Sequence, residues 1–131
     1  MKESFDLEFE FKLSSSEVYN CWLDPKKHEA MTGGIADIKN SVGYEFETWD
    51  GYIQGTIMQL EANKKIVQTW RTTEFSDQDE DSELKIELFE REGGCLLKLQ
   101  HTNIPEGQGE SYKKGWLEHY FEPMEFYFDS L

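Results

Sequence analysis

The chain has 131 residues, 37 % hydrophobic and 15 % aromatic, which is enough for one core rich in Phe, Tyr and Trp but too little for two. Its formal net charge of −14 repels phosphate backbones and anionic lipid surfaces, which argues against nucleic-acid binding and membrane insertion. We therefore expect a single domain over residues 1-131.

The N-terminus runs directly into alternating sequence and lacks the uninterrupted apolar stretch of a signal peptide. No segment has the apolar length that a membrane-spanning helix requires. Cys21 and Cys95 each lie within an apolar pattern, which favours buried free thiols in a reducing compartment. Together these features predict a cytoplasmic protein.

The first predicted element is a strand followed by two short helices. From Phe5 to Leu13 every odd position is apolar and every even position is charged, which is typical of a strand with one solvated face. Ser14 and Glu17 have the spacing of a capping box that starts a helix. Asp24-Pro25 predicts the start of a second helix, which Gly33-Gly34 ends.

Six further strands joined by hairpins follow, because apolar or alternating runs are separated by short turn sequences. The alternation in the fifth strand allows either face to be buried, and we place Trp70 inward. The acidic loop Asp77–Asp81 lacks the glycine and the distal glutamate of a calcium-binding loop, so we expect it to be solvated. The predicted strands are Ile35–Lys39, Tyr44–Trp49, Tyr52–Leu60, Lys65–Thr73, Leu84–Glu90 and Cys95–Thr102.

The last element predicted is a long amphipathic helix that begins near Glu110. At 100° per residue its polar face carries Lys114 and several acids, and Pro123 predicts a kink without a break. The apolar face then comprises Tyr112, Trp116, Tyr120, Met124, Tyr127 and Leu131.

These elements predict an α+β fold in which a curved seven-stranded antiparallel sheet wraps the C-terminal helix. Large side chains seldom fill such a space completely, so a cavity between helix and sheet is expected. The same side chains could instead fill the core. The sequence predicts no cofactor and no metal site. Candidate cavity-lining residues are Trp22, Met31, Trp49, Ile57, Trp70, Leu97, Leu99, His101, Tyr112, Trp116 and Tyr120.

The three histidines receive different predictions. His101 lies at an inward strand position, where it could orient a ligand, act as a general base or serve as a hydrogen-bonded structural residue. With Arg71 and Tyr112 it could form an acid–base set. His119 is predicted to be structural, and His28 to be solvated on its short charged helix.

Three segments resemble the C-terminal domain of the activator of the heat-shock protein 90 ATPase. They are Ile66–Arg71, Asn103–Pro105 and Gly115–Phe121. The resemblance implies the START-like, or SRPBCC, helix-grip fold, whose members include lipid and hormone carriers and polyketide cyclases. It also implies that a separate N-terminal domain makes the main chaperone contact in the eukaryotic activator.

We therefore predict a non-catalytic binding module for a heat-shock protein 90-type chaperone, another protein, or a small hydrophobic ligand in the cavity. The alternatives are a lipid or hydrophobic-molecule carrier and a cyclase-like enzyme that uses the same cavity.

Overall fold

The computed structural model describes residues 1–131 and contains seven strands and five helical segments, of which the last three are consecutive. We call the last three segments together the C-terminal helix, and its middle part the π segment. The elements in chain order are β1 (Glu3–Phe11), α1 (Ser15–Leu23), α2 (Pro25–Thr32), β2 (Ala36–Asp37), β3 (Glu45–Thr48), β4 (Ile53–Glu61), β5 (Lys65–Thr72), β6 (Ser82–Arg91), β7 (Gly94–Ile104), α3 (Gly109–Gly115), the π segment (Trp116–Phe121) and α4 (Glu122–Asp129).

All seven strands form one antiparallel sheet in the order β1-β7-β6-β5-β4-β3-β2. Each strand from β2 to β6 is paired with the next strand of the chain, and β1 pairs with β7. The two edges of the sheet are therefore β1 and the short β2, and helices α1 and α2 connect them. The predicted α+β helix-grip fold is confirmed.

Both predicted helix starts are present. The Ser14 side chain accepts a hydrogen bond from the Glu17 amide at 3.3 Å, and the Asp24 carboxylate accepts one from the Lys27 amide at 3.0 Å. These caps satisfy amides that the first turn of a helix leaves unpaired. At the other end of α2, Gly33 adopts φ 85°, a left-handed conformation that favours glycine. Local chemistry therefore sets these boundaries.

The C-terminal helix packs on the inner face of the sheet. Phe121 and Phe128 lie 5.3 Å from Phe9 and 5.2 Å from Phe11, measured between ring centroids. The buried core extends along the chain from Phe11 to Phe128 and takes side chains from sheet and helices alike. The predicted inward placement of Trp70 is confirmed, since its side chain is buried.

The chain stays helical through Pro123, but the helix widens before it. The π segment has the Glu122 amide donating to the carbonyl of Leu117, five residues earlier. Each such turn holds more residues than an α turn, so the segment rotates the helix that follows. Phe121 and Phe128 are buried, whereas Leu131 lies beyond the end of α4 at Asp129 and is 69 % exposed. The prediction of Leu131 on the buried face is therefore wrong.

Cys21 and Cys95 are buried and unpaired, as predicted. Burial raises the pKa of the Cys95 thiol to about 11, which keeps it protonated and poorly nucleophilic at neutral pH. Among the helices, none combines the length and the apolar character that crossing a lipid bilayer demands.

Candidate functional site

A cavity of about 460 Å³ lies between the C-terminal helix and one end of the sheet. Its volume falls within the range of small-molecule sites in proteins, and most of its lining side chains are apolar or aromatic. Exposed residues of the helix form its mouth, so it is open to solvent. The lining comprises Trp49, Tyr52, Ile53, Trp70, Ser111, Tyr112, Lys114, Gly115, Trp116, Glu118, His119 and Tyr120.

Trp49 forms the outer wall, at the turn between β3 and β4. It adopts φ 56°, which is unfavourable for a bulky side chain and requires support from its surroundings. Its indole N–H donates to the Tyr120 hydroxyl at 2.9 Å. A Cβ at Gly34 would lie 2.4 Å from the Trp49 ring, so only glycine allows this approach. The tertiary structure therefore fixes Trp49 over the cavity in a strained conformation.

The inner wall is a set of packed aromatic rings. Trp70 lies 4.9 Å from Tyr112, and Trp116 lies 4.3 Å from Tyr120, between ring centroids. The Tyr112 hydroxyl shares a hydrogen bond of 2.7 Å with Thr72 Oγ1. Burial raises the pKa of Tyr120 to about 12, so its hydroxyl remains protonated at neutral pH. The wall is preformed and uncharged, which suits a flat apolar molecule.

The mouth of the cavity carries the charges that its walls lack. Lys114 and Glu118, one helical turn apart, approach to 3.9 Å, and Ser111 and His119 are exposed beside them. The His119 ring also meets Trp49 edge-on at 6.1 Å. His119 was predicted to be structural, and the structure places it at this solvated rim. An apolar guest with a polar end would match the arrangement.

His101 is fully buried beneath the cavity and bonded at both ring nitrogens. The Trp116 indole N–H donates to Nδ1 at 3.2 Å, so Nε2 carries the proton and donates to Ser82 Oγ at 2.7 Å. Ser82 Oγ in turn donates to the carbonyl of Trp70 at 2.8 Å. Burial lowers the pKa of His101 to about 3. Of the roles open to His101, this geometry matches the structural one.

The prediction that His28 is solvated is wrong. Its ring is 1 % exposed, lies 4.7 Å from the Trp22 ring, and donates from Nδ1 to the carbonyl of Trp22 at 2.7 Å. Nε2 is buried without a partner, and burial lowers the pKa of His28 to about 4. His28, Met31 and Thr32 share the i, i+3, i+4 spacing of a buried stripe, which the surrounding charges obscured.

The structure brings five of the predicted cavity residues together and places six elsewhere. Those at the cavity are Trp49, Trp70, Tyr112, Trp116 and Tyr120. Those in the packed interior, away from the lining, are Trp22, Met31, Ile57, Leu97, Leu99 and His101.

The six interior residues have neighbours that explain their position. Trp22, for example, donates from its indole N–H to the buried Gln68 side chain at 3.1 Å. Strand alternation indicated that Leu97 and Leu99 face inward, and they do. Alternation does not indicate how far along the strand the cavity extends, because the helix covers most of that face.

Arg71, Tyr112 and His101 do not converge as an acid–base set. Because neighbouring strand residues point to opposite faces, Arg71 lies outside while Trp70 lies inside. Arg71 pairs with the Asp81 carboxylate at 2.6 Å and donates to the carbonyls of Ser76 and Asp79. It therefore orders the acidic loop, where no cluster of side chains has the arrangement of a metal site.

Sequence reasoning missed several lining residues, among them Tyr52, Ile53, Lys114 and Gly115. Tyr52 and Ile53 follow the Asp50-Gly51 turn, whose position beside the helix depends on the curvature of the whole sheet. The sequence did contain a signal for Gly115, because a glycine within a predicted helix has no side chain and leaves space next to the helix. A Cβ there would meet only the His119 side chain, at 3.9 Å.

Comparison with known proteins gives a consistent result. A family model described as "Activator of Hsp90 ATPase homolog 1-like protein" matches residues 12–129. An "Activator of 90 kDa heat shock protein ATPase homolog" from Dictyostelium discoideum is 31 % identical over 116 residues, which cover 87 % of this chain and 30 % of that protein. A human homologue is 25 % identical over 86 % of this chain and 33 % of its own length. The chain thus spans about a third of the length of these curated relatives.

Solved structures share the fold over nearly the whole chain. An HSP90 activator from Plasmodium falciparum superposes with a TM-score of 0.85 and 26 % identity, covering 94 % of both chains. A protein from Mesorhizobium loti superposes with a TM-score of 0.79 over 98 % of both chains, and at 17 % identity it indicates the fold alone.

Proposed function

Because the chain belongs to the activator of Hsp90 ATPase homolog 1-like family, we propose that it is a non-catalytic binding module for an Hsp90-type chaperone. The observation that supports this most is the superposition on the Plasmodium falciparum HSP90 activator over 94 % of each chain. That match includes both the sheet and the C-terminal helix, so it concerns the whole fold rather than one motif.

The absence of catalytic geometry at the cavity supports a binding role. His101 has both ring nitrogens bonded to protein groups, and Arg71 lies on the other face of the sheet. A general base must reach the proton that it abstracts, and the buried His101 ring has no free nitrogen to do so. We accordingly propose that a molecule bound in the cavity is released without having been chemically converted.

Two further proposals accompany this role. We propose that residues 1–131 act as one domain, because the core draws on side chains from Phe11 to Phe128. We also propose a cytoplasmic location, since Cys21 and Cys95 are free thiols that a reducing compartment preserves.

The chaperone proposal is tested by titrating the chain into an Hsp90-type chaperone. Calorimetry measures complex formation, and a coupled assay measures ATP turnover with and without the chain. We expect a saturable complex and a change in turnover that reaches a plateau at the same ratio. Absence of both a complex and a change in turnover would refute the chaperone role.

A second candidate function, binding of a small hydrophobic ligand, is favoured by the cavity itself. Five aromatic side chains of the predicted set surround a space of about 460 Å³. One of them, Trp49, forms part of the cavity wall in a strained backbone conformation. Strain retained at a cavity wall is common where a ligand is held. We propose Trp49, Trp70, Tyr112, Trp116 and Tyr120 as the ligand contacts.

The ligand proposal is tested with the fluorescent apolar probe anilinonaphthalene sulfonate. Gly115→Leu places a side chain in the cavity and should weaken probe binding at least tenfold. Glu122→Leu is the matched control, because it adds the same side chain to an exposed position of the same helix. Equal binding by wild type and both folded variants would show that the probe binds elsewhere and would exclude the cavity.

A further inference from the structure

Strand β1 leaves one side of its backbone unpaired. It is the edge strand of the sheet and is hydrogen-bonded to β7 alone. No backbone hydrogen bond outside the regular ladders and helices involves any residue of β1. A free strand edge is a template for another strand, and proteins usually shorten or cover it. Here it extends over nine residues, Glu3–Phe11.

The turn between β6 and β7 determines which backbone groups are free. Arg91 and Gly94 close a two-residue hairpin, so the even-numbered residues of β7 bond to β6. The odd-numbered residues of β7 then bond to β1, where their partners include Leu7 and Phe9. The Leu88 amide, which donates away from β7 to Lys64 at 2.8 Å, agrees with this alternation.

The amide and carbonyl groups of Asp6, Glu8 and Glu10 therefore point out from the free edge. Their side chains are exposed on the outer face of the sheet. On the inner face, the intervening Leu7 and Phe9 are only half-buried, because no strand covers their outer flank. The edge thus offers three kinds of contact in regular alternation: backbone hydrogen bonds, a row of carboxylates and a row of apolar side chains.

We propose that this edge binds an extended segment of a partner protein in which basic and apolar residues alternate. An added strand continues the side-chain alternation of its neighbour, so its basic residues lie opposite Asp6, Glu8 and Glu10. Its apolar residues lie beside Leu7 and Phe9 on the inner face. The net charge of −14 attracts such a segment before contact.

A second copy of this chain fits the edge poorly. Two β1 strands paired edge to edge would place the carboxylates of Asp6, Glu8 and Glu10 on one face against each other, and like charges directly opposite destabilise a sheet. The proposed segment is also separate from the cavity and from the chaperone proposal. Its test uses a defined peptide, so its failure leaves both of those proposals unaffected.

The test measures hydrogen exchange of the full chain with the blocked peptide Lys-Val-Lys-Val-Lys. We expect the amides of Asp6, Glu8 and Glu10 to exchange at least tenfold more slowly at saturation. The control peptide Lys-Lys-Lys-Val-Val has the same charge and composition but lacks the alternation, and it should give no such protection. Equal protection by both peptides, or protection confined to other residues, would overturn the proposal.

Two variants sharpen the result. Glu8→Pro removes an amide that faces solvent and blocks strand addition without removing a bond to β7, so peptide affinity should fall at least tenfold. Glu8→Lys should weaken peptide binding more than Glu122→Lys does. Glu122→Lys is the control, because it makes the same charge change at an exposed position of the C-terminal helix. Undiminished peptide affinity in a folded Glu8→Pro variant would overturn the proposal. If that variant fails to fold, the hydrogen-exchange protection of the wild-type protein by the two peptides tests the proposal alone. A concentration-dependent dimer in which the β1 amides are protected from exchange would also overturn the proposal, because a second copy of the chain would then occupy the edge.

Discussion

His28 and His101 should make the free energy of unfolding fall steeply between pH 7 and pH 5. Both imidazoles are buried and neutral in the folded protein, with pKa values lowered by burial to about 4 and about 3. In the unfolded chain a histidine has a pKa of about 6.5, so below that pH the unfolded state binds more protons. The stabilising contribution is therefore complete above pH 6.5 and is lost as the pH falls toward the folded-state pKa.

The expected magnitude follows from these pKa values. At pH 5 an unfolded histidine is almost fully protonated and a folded one is not, which costs about 2 kcal/mol for each residue. The pair should therefore lower the free energy of unfolding by about 4 kcal/mol relative to pH 7.5. Glu3 and Glu90, whose pKa values are lowered by hydrogen bonds from backbone amides and from Ser15 respectively, lose their contribution mainly below pH 5.

Urea unfolding followed by tryptophan fluorescence measures this difference at each pH. His28→Gln should reduce the difference by about half, since glutamine does not titrate in this range. His119→Gln, which removes an exposed imidazole, is the matched control for the substitution. If His28→Gln and the wild type lose the same free energy between pH 7.5 and pH 5, then the protonation argument for His28 is refuted.

Three substitutions test the packing directly, each by urea unfolding. Gly115→Ala should stabilise the protein by about 1 kcal/mol, because the position is helical and its Cβ meets nothing closer than 3.9 Å; a loss would show that the site is crowded. Gly55→Ala should destabilise by about 2 kcal/mol or more, because its Cβ would lie 2.0 Å from the Thr69 carbonyl oxygen, and a neutral result would contradict that contact. Arg71→Ala should cost about 1 kcal/mol and speed amide exchange in the acidic loop, since it removes the ion pair with Asp81; unchanged exchange there would show that Arg71 does not order the loop.

The sequence alone determined the elements whose cause is local. A side chain's direction on β1 depends only on its odd or even position, and the caps at Ser14 and Asp24 depend on residues within four positions. Short turns between apolar runs likewise specified the hairpins. The order of β2 to β7 follows from these, because hairpin neighbours pair, but the six strands leave two open edges and only the tertiary structure shows that β1 joins β7.

Tertiary structure decided what depends on the relation between elements. The π segment rotated the end of the C-terminal helix and brought Phe128 to the core, which a uniform period of 3.6 residues per turn cannot reveal, and Leu131 lies beyond the end of α4. The position of that helix on the sheet leaves Trp70 and Trp116 at the cavity and buries Leu97 and His101 in the packed interior. Residue type and alternation specify only that a side chain points inward, whereas the position of empty space depends on how all neighbouring side chains pack.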